Sequence, residues 1–337
     1  MNTAVKYCFY RFFEVAGFYE VMRERHHRLP IVLTYHGVLP KIPKNGDYYE
    51  YRNFVSIAQF ERQLTFLLKH YRPLQIEEFY KNGKDVEGGF LITFDDGFRN
   101  NFKYALPSLE KFGLKACFFI TTKLIGTREF LWTEQVTRLL QRTRIKKLLL
   151  EIPESTVFPL RNQREREKAS IFIRQYLKQQ KPQILNNKME IIFEQLSDVN
   201  LEMQKKEEER YLFMKWNEIQ GLVRAGHTVG SHTHTHRMLS QLSEEESLQE
   251  LKLSKELIES QTGHTCKVLS YPNGGRQDFT EIQKQQLKSL GYKCAFTEIR
   301  PFNGTIPQDK YELQRINVTL KLPMPVFAAR LCGFKRN

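Results

Sequence analysis

Short apolar runs alternate with helical patterns along most of this chain. Residues 29–35 (LPIVLTY) are rich in branched side chains and predict a strand. Residues 56–70 predict a helix: Ser56 and Gln59 form a capping box, and Ile57, Phe60, Leu64, Leu67 and Leu68 recur on one face. A strand is predicted over Gly89–Phe94, a helix over 101–112 with Gly113 at its exit, and a strand over 115–121 (KACFFIT). The alternation resumes with a strand at 227–231 and a helix from the Ser243/Glu246 capping box towards Gly263. It continues with a strand at 266–271, a helix at 277–290, and strands at 292–297 and 313–320. Strands and helices in this order predict an α/β fold, a mostly parallel sheet or barrel with helices outside. In such folds chemistry gathers at the C-terminal ends of the strands.

One region breaks the pattern. Residues 123–215 are rich in Lys, Arg, Glu and Gln with scattered leucines, and predict a helical insertion or cap over a site. The expected organisation is an amphipathic helical segment at 1–28, a barrel built from 29–122 and 216–325, and the insertion at 123–215.

Composition adds a bias. The chain has 337 residues, 41% hydrophobic and 27% charged, enough for one large domain with an insertion. A formal net charge of +14 favours anionic partners without choosing among them. No nucleic-acid motif accompanies the charge, so nucleic acid is not an expected partner. The five cysteines form no C-x-x-C pair, and three lie in apolar runs, which suits buried thiols in a reducing compartment. No stretch approaches the roughly 18 apolar residues of a membrane span. The N-terminus lacks a secretory h-region and alternates Tyr7, Phe9, Tyr10, Phe12, Phe13, Phe18 and Tyr19 with Arg11, Arg23 and Arg25. Either it lies in a membrane interface or it packs on the domain's own surface; Glu14, Glu20 and Glu24 interrupt its basic face. The expected location is cytoplasmic, and peripheral contact at the inner membrane is left open.

The candidate chemistry lies in two short segments. FLITFDDGFRNNF (90–102) ends a buried strand on Asp95 and Asp96, followed by Gly97. Two adjacent carboxylates repel unless a cation or a shared proton relieves them; the alternative is a helix cap with a solvated neighbour. VGSHTHTH (229–236) then places His232, His234 and His236 at alternate positions. On a helical turn His232 and His236 would share one metal while His234 pointed elsewhere; on an extended segment all three would share a face. A surface histidine cluster is the plainer alternative. Two imidazoles and one carboxylate leave a coordination position open, as a catalytic zinc site requires. The ion would lower the pKa of a bound water to about 7, and the second carboxylate could act as general base. Zn²⁺ suits these ligands, and so do Co²⁺ and Ni²⁺.

TFDDG (93–97) followed by SHTHTH (231–236) resembles the first two motifs of the NodB-homology polysaccharide deacetylases, carbohydrate esterase family 4. The resemblance implies a distorted (β/α) barrel that hydrolyses an N-acetyl group, usually on an amino sugar. It implies Asp95 as catalytic base and Asp96, His232 and His236 as metal ligands. The family's third motif resembles R-x-P-Y before a glycine; here Ser270, Tyr271, Pro272, Asn273 and Gly274 stand in its place. The arginine that would orient the base is therefore expected to be missing. Asn273, through its backbone N–H, and Tyr271 remain candidates for oxyanion and substrate contacts, or the run is simply a turn after a strand. The family's late leucine–histidine motif is also absent, since LQRINVT offers Arg315 but no histidine. The general acid is thus unassigned, with His36 in TYHGV as candidate. A tyrosine–histidine pair there is also seen in a branch of the family that acts on exopolysaccharide and surface-sugar intermediates. Trp132 and Trp216, flanking the insertion, either stack on a sugar or belong to the core.

The expected function is metal-dependent removal of an N-acetyl group during bacterial surface polysaccharide or glycolipid synthesis. The substrate could be polymeric, lipid-linked or nucleotide-linked. The alternatives are a deformylase or other amide hydrolase on a lipid-linked sugar, and a non-catalytic carbohydrate-binding module.

Overall fold

The structure is a computed structural model that describes residues 3–26, 29–43, 51–81, 86–299, 309–320 and 322–334. Its strands, in chain order, are β1 (Ile31–Tyr35), β2 (Gly37–Leu39), β3 (Phe54–Ser56), β4 (Arg72–Pro73), β5 (Gly89–Phe94), β6 (Ala116–Ile120), β7 (Lys147–Glu151), β8 (Ser155–Pro159), β9 (Thr228–Ser231), β10 (Val268–Ser270), β11 (Cys294–Phe296) and β12 (Ile316–Asn317). The main sheet runs β11-β10-β9-β6-β5-β1-β12, with β4 beside β5, and its pairings are parallel. Residues of β1, β5 and β6 are buried on both faces, which is why these strands read as unbroken apolar runs.

The sheet curves as a half-barrel, and one segment spans its edges. Leu313 pairs with Phe296 at the end of β11, and three residues later Ile316 pairs with Leu33 of β1. This is the expected distorted barrel, joined by an irregular stretch where a full strand at 313–320 was predicted. Only Ile316–Asn317 is regular there.

Helices cover the sheet. In Ile57–His70 the Ser56 hydroxyl accepts from the Gln59 N–H at 3.2 Å, but the Gln59 side chain donates to the Leu322 carbonyl, so the predicted capping box is only half made. Phe60, Leu64 and Leu67 are buried as expected; Leu68 is exposed, and Gln63 takes an inward position by accepting from the Tyr35 hydroxyl. The helix Glu244–Thr262 has both halves of its box and ends at Gly263, whose φ of 68° suits a left-handed cap.

The insertion has its own core. Val136, Leu139, Leu148, Leu150, Ile173 and Ile192 are among its buried members. It is not wholly helical as predicted: β7 and β8 form an antiparallel hairpin, with Leu148 and Leu150 inward and Leu149 exposed. Glu207, on the helix Lys205–Tyr211, is fully buried and pairs with Arg138 at 2.9 Å and with Arg142. That ion cluster fastens the helix Trp132–Arg142 to the chain's return towards the barrel.

The N-terminal helices Thr3–Val15 and Phe18–His26 pack against the helix Met324–Leu331. Tyr19 is buried and donates to the Tyr10 carbonyl at 2.8 Å, and Phe13, Phe18 and Phe334 cluster. The other face leaves Tyr7, Phe9, Phe12, Val15 and Val21 exposed. No helix among the described residues is long and apolar enough to cross a membrane.

Candidate active site

β5 delivers the two aspartates at the C-terminal end of the sheet. The Asp95 N–H donates to the Tyr35 carbonyl at 2.9 Å, continuing the ladder. Asp96 then turns with φ 72°, and Gly97 with φ 89°. A side chain at Gly97 would meet Ile120 at 3.2 Å, so both backbone angle and space favour glycine. This turn brings the two carboxylates, which would face opposite ways on a strand, into one pocket.

The histidine segment is neither helix nor strand. β9 ends at Ser231, and Thr233 (φ 62°) and His236 (φ 60°) adopt left-handed conformations that are unfavourable for side chains such as theirs. Side chains hold the loop: Ser231 Oγ accepts from the Thr233 N–H at 3.0 Å, and Thr233 Oγ1 from the His236 N–H at 3.1 Å. Glu250 accepts from the N–H groups of His234 and Thr235. His232 and His236 thus converge, while His234 turns away to meet Thr122 Oγ1. Asn273 (φ 60°) completes a set of strained backbone positions around the pocket.

Asp96 Oδ1 lies 3.6 Å from His232 Nε2 and 3.4 Å from His236 Nε2. The candidate ligand atoms of these three buried residues all fall within 4.8 Å of one another. His232 Nδ1 sits 2.8 Å from the Ser270 carbonyl; donating there leaves the Nε2 lone pair directed at the site. Burial brings the His232 pKa down to about 4, against the opposing charge of Asp95, so the ring is neutral at pH 7, as a ligand must be. One carboxylate and two neutral imidazoles fit a divalent cation.

Asp95 is held differently. Arg315 Nη1 donates to Asp95 Oδ1 at 2.9 Å and Nη2 to Oδ2 at 2.7 Å. Nη2 also donates to Ser270 Oγ at 2.7 Å, and that hydroxyl donates to Asp95 Oδ2 at 3.1 Å. Nη1 reaches Thr93 Oγ1, Nε the Thr297 carbonyl, and Glu298 pairs with the guanidinium at 2.8 Å. The sequence-based expectation that an orienting arginine is missing is therefore corrected. Serine at 270 leaves room for a guanidinium that enters from the segment closing the barrel. Burial alone would raise the Asp95 pKa; the Arg315 charge, with help from His232, holds it well below the usual carboxylate range.

A comparison with protein families matches residues 82–146 and 168–295 to the polysaccharide deacetylases. The chain belongs to the polysaccharide deacetylase family. YxkH of Bacillus subtilis strain 168, a protein assigned to this family, is 31% identical over 130 residues, which cover 36% of the present chain and 42% of that protein. The chain thus spans less than half the length of the curated relative it matches. Two solved structures share the fold. The deacetylase PplD of Streptococcus pyogenes, solved with acetate, aligns at a TM-score of 0.54 and 17% identity, covering 91% of this chain and 98% of that one. IcaB of Ammonifex degensii aligns at 0.53 and 16%, covering 90% and 95%.

Within this family member the remaining candidates separate. His36 and Asn273 line a pocket of about 240 Å³ together with Asp95, Asp96, His232 and His236. His36 Nδ1 is buried and finds no partner among the described residues. Tyr271 is not among the lining residues; it is buried and stacks on Phe279 at 4.1 Å. Ser270 faces the site, so the next residue points the other way, into the core. Trp132 is half-buried against the insertion core, while its neighbours Leu131, Thr133 and Glu134 line the pocket; Trp216 packs on the barrel core. Among the lining residues without a signal in the sequence are Glu298, beyond β11, and Arg174 and Lys178, one turn apart at the end of the helix Gln163–Lys178.

Proposed function

We propose that this protein removes the N-acetyl group from an amino sugar during bacterial surface polysaccharide or glycolipid synthesis. The observation that carries the reading is a buried carboxylate, Asp95, clamped by Arg315 beside the Asp96–His232–His236 ligand set. A divalent ion bound there supplies Lewis acidity and makes water more acidic. Zn²⁺ is the leading candidate, with Co²⁺ and Ni²⁺ as substitutes.

The protein's own groups do the rest. Arg315 uses both Asp95 oxygens, but each carboxylate oxygen can accept more than one hydrogen bond, so Asp95 retains a position for a water proton. The fixed carboxylate takes that proton as the oxygen adds to the acetyl carbonyl. The Asn273 N–H, on its strained turn after β10, is the proposed donor to the oxyanion. The pocket's small volume suits an acetamide group, and its polar walls suit a sugar.

The N-terminal helices supply a proposed peripheral membrane contact. Phe9, Phe12 and Val15 form an exposed apolar strip on a chain of net charge +14, which favours an anionic lipid surface. We place the reaction at the cytoplasmic face of the inner membrane on that basis and on the chain's unpaired cysteines.

Metal-loaded protein incubated with N-acetylated oligosaccharides and lipid-linked amino sugars should release acetate, and the Asp95→Asn variant should not. Formate release from N-formyl sugars without acetate release would replace this reading with a deformylase. Stoichiometric metal with neither product would make the site a binding module.

A further inference from the structure

An amide does not break readily to give an amine anion, so the departing nitrogen needs a proton. The late histidine motif that might supply it is absent, and Arg315 and Asn317 occupy that stretch. Among the pocket's lining residues the arginines cannot give up a proton usefully. Of the lining carboxylates, Glu298 is committed to Arg315 at 2.8 Å and Glu134 faces Arg52 at 3.6 Å, so the proton donors that remain beside the ligand histidines are His36 and one residue of the insertion.

That residue is Lys178. It ends the helix Gln163–Lys178, whose inner face is fixed by buried Ile173 and Leu177 in the insertion core. Its Nζ donates to Asn273 Oδ1, so a long side chain from outside the barrel is tied to the residue proposed to face the oxyanion. Arg174, one turn earlier, lines the same pocket. We propose that Lys178 is the general acid of this enzyme, carried into the barrel's site by the insertion. This rests on the reading of the pocket as an amide-hydrolysis site.

The step balances as follows. Water gives a proton to Asp95 and its oxygen bonds to the acetyl carbon, leaving an oxyanion. The oxyanion re-forms the carbonyl and the C–N bond breaks, its electron pair going to nitrogen. Nitrogen takes a proton from the Lys178 ammonium, giving the free amine and acetic acid. The proton held by Asp95 returns to Lys178, restoring both groups.

The local electrostatics agree with this role. Desolvation in the pocket, then the charge of Arg174, bring the Lys178 pKa down to about 8, while Asp278 acts in the opposite direction. A lysine so placed is charged at pH 7 and close enough to neutrality to transfer its proton.

The test compares two leaving groups with the metal-loaded protein. N-acetylglucosamine oligomers need a protonated leaving amine, whereas 4-nitrophenyl acetate releases a stable phenolate. Lys178→Met should lower kcat on the amide by about 10²-fold or more, in the range usual for a general acid, and leave ester hydrolysis nearly unchanged. Lys178→Arg, which keeps the charge, should fail on the amide in the same way. Wild type should lose amide activity above about pH 8 through this group, and competitive acetylation followed by mass spectrometry should titrate the amine in the same range. Equal loss on both substrates, retained amide turnover in Lys178→Arg, or an alkaline limb abolished by His36→Gln instead would each overturn the proposal. Wild type that releases no acetate from any N-acetylated sugar would sink the reading it rests on, and the proposal with it.

Discussion

Arg315 and Asp95 meet fork to fork, with Nη1–Oδ1 at 2.9 Å and Nη2–Oδ2 at 2.7 Å, although 220 positions separate them in sequence. The guanidinium is fully buried and its other nitrogen–hydrogen groups go to Thr93, Thr297 and Ser270. Planarity makes this pairing specific to arginine. The consequence is a carboxylate with a fixed orientation and a low pKa in a buried setting.

Arg315→Lys should therefore keep the charge but lose the fork. We expect kcat to fall on the order of 10²-fold, the scale of a misplaced catalytic group, with metal content unchanged. The Asp95 pKa should rise, moving the acid limb of the rate profile to higher pH. Arg315→Met should also cost about 3–5 kcal/mol of stability, because Asp95 and Glu298 would be left buried without their partner. A steady-state pH profile, metal analysis and denaturant melts check these outcomes; an unmoved acid limb in Arg315→Lys would count against the role assigned here.

Stability should depend on His227. Its Nδ1 accepts from the Ala116 N–H at 3.1 Å, and its buried Nε2 has no partner among the described residues. Burial, then the nearby Lys115 charge, lower its pKa to about 4. The unfolded chain binds this proton first, so the contribution is complete above about pH 6.5 and is lost as pH falls towards 4, at up to about 1.4 kcal/mol per pH unit. Unfolding free energies at pH 7 and pH 5 should differ more in wild type than in His227→Gln; equal slopes would refute the assignment.

The insertion should be fastened by Glu207. Glu207→Ala leaves Arg138 buried without its carboxylate and should destabilise by about 3–5 kcal/mol. Limited proteolysis should cut the variant first within 123–215. A wild-type digestion pattern would show that the hydrophobic core of the insertion suffices.

Contiguous chemistry was legible in the sequence, and chemistry assembled across space was not. Asp95 with Asp96, and His232 with His236, are each held within one loop, so local spacing revealed them. Arg315 could be seen but not placed, because its role depends on the empty volume that Ser270 leaves on another strand. Tyr271 was misassigned where strand alternation would have sent it to the core. Lys178 sits in a helix as charged as any solvated one, and only the packing of Ile173 and Leu177 turns it towards the barrel. The β7–β8 hairpin was hidden because Leu149 between Leu148 and Leu150 masks the period of two. The parallel sheet followed from its buried strands, which leave long apolar runs, whereas its barrel-like curvature was implied by the family resemblance.

The central claim is that four side chains divide one task, three holding a divalent ion and Asp95 moving the proton. Metal analysis and acetate release measured together on Asp95→Asn and His232→Ala test it most directly. The account predicts that Asp95→Asn keeps its metal and loses turnover, while His232→Ala loses both. Turnover retained in Asp95→Asn, or metal retained at wild-type affinity in His232→Ala, would contradict it.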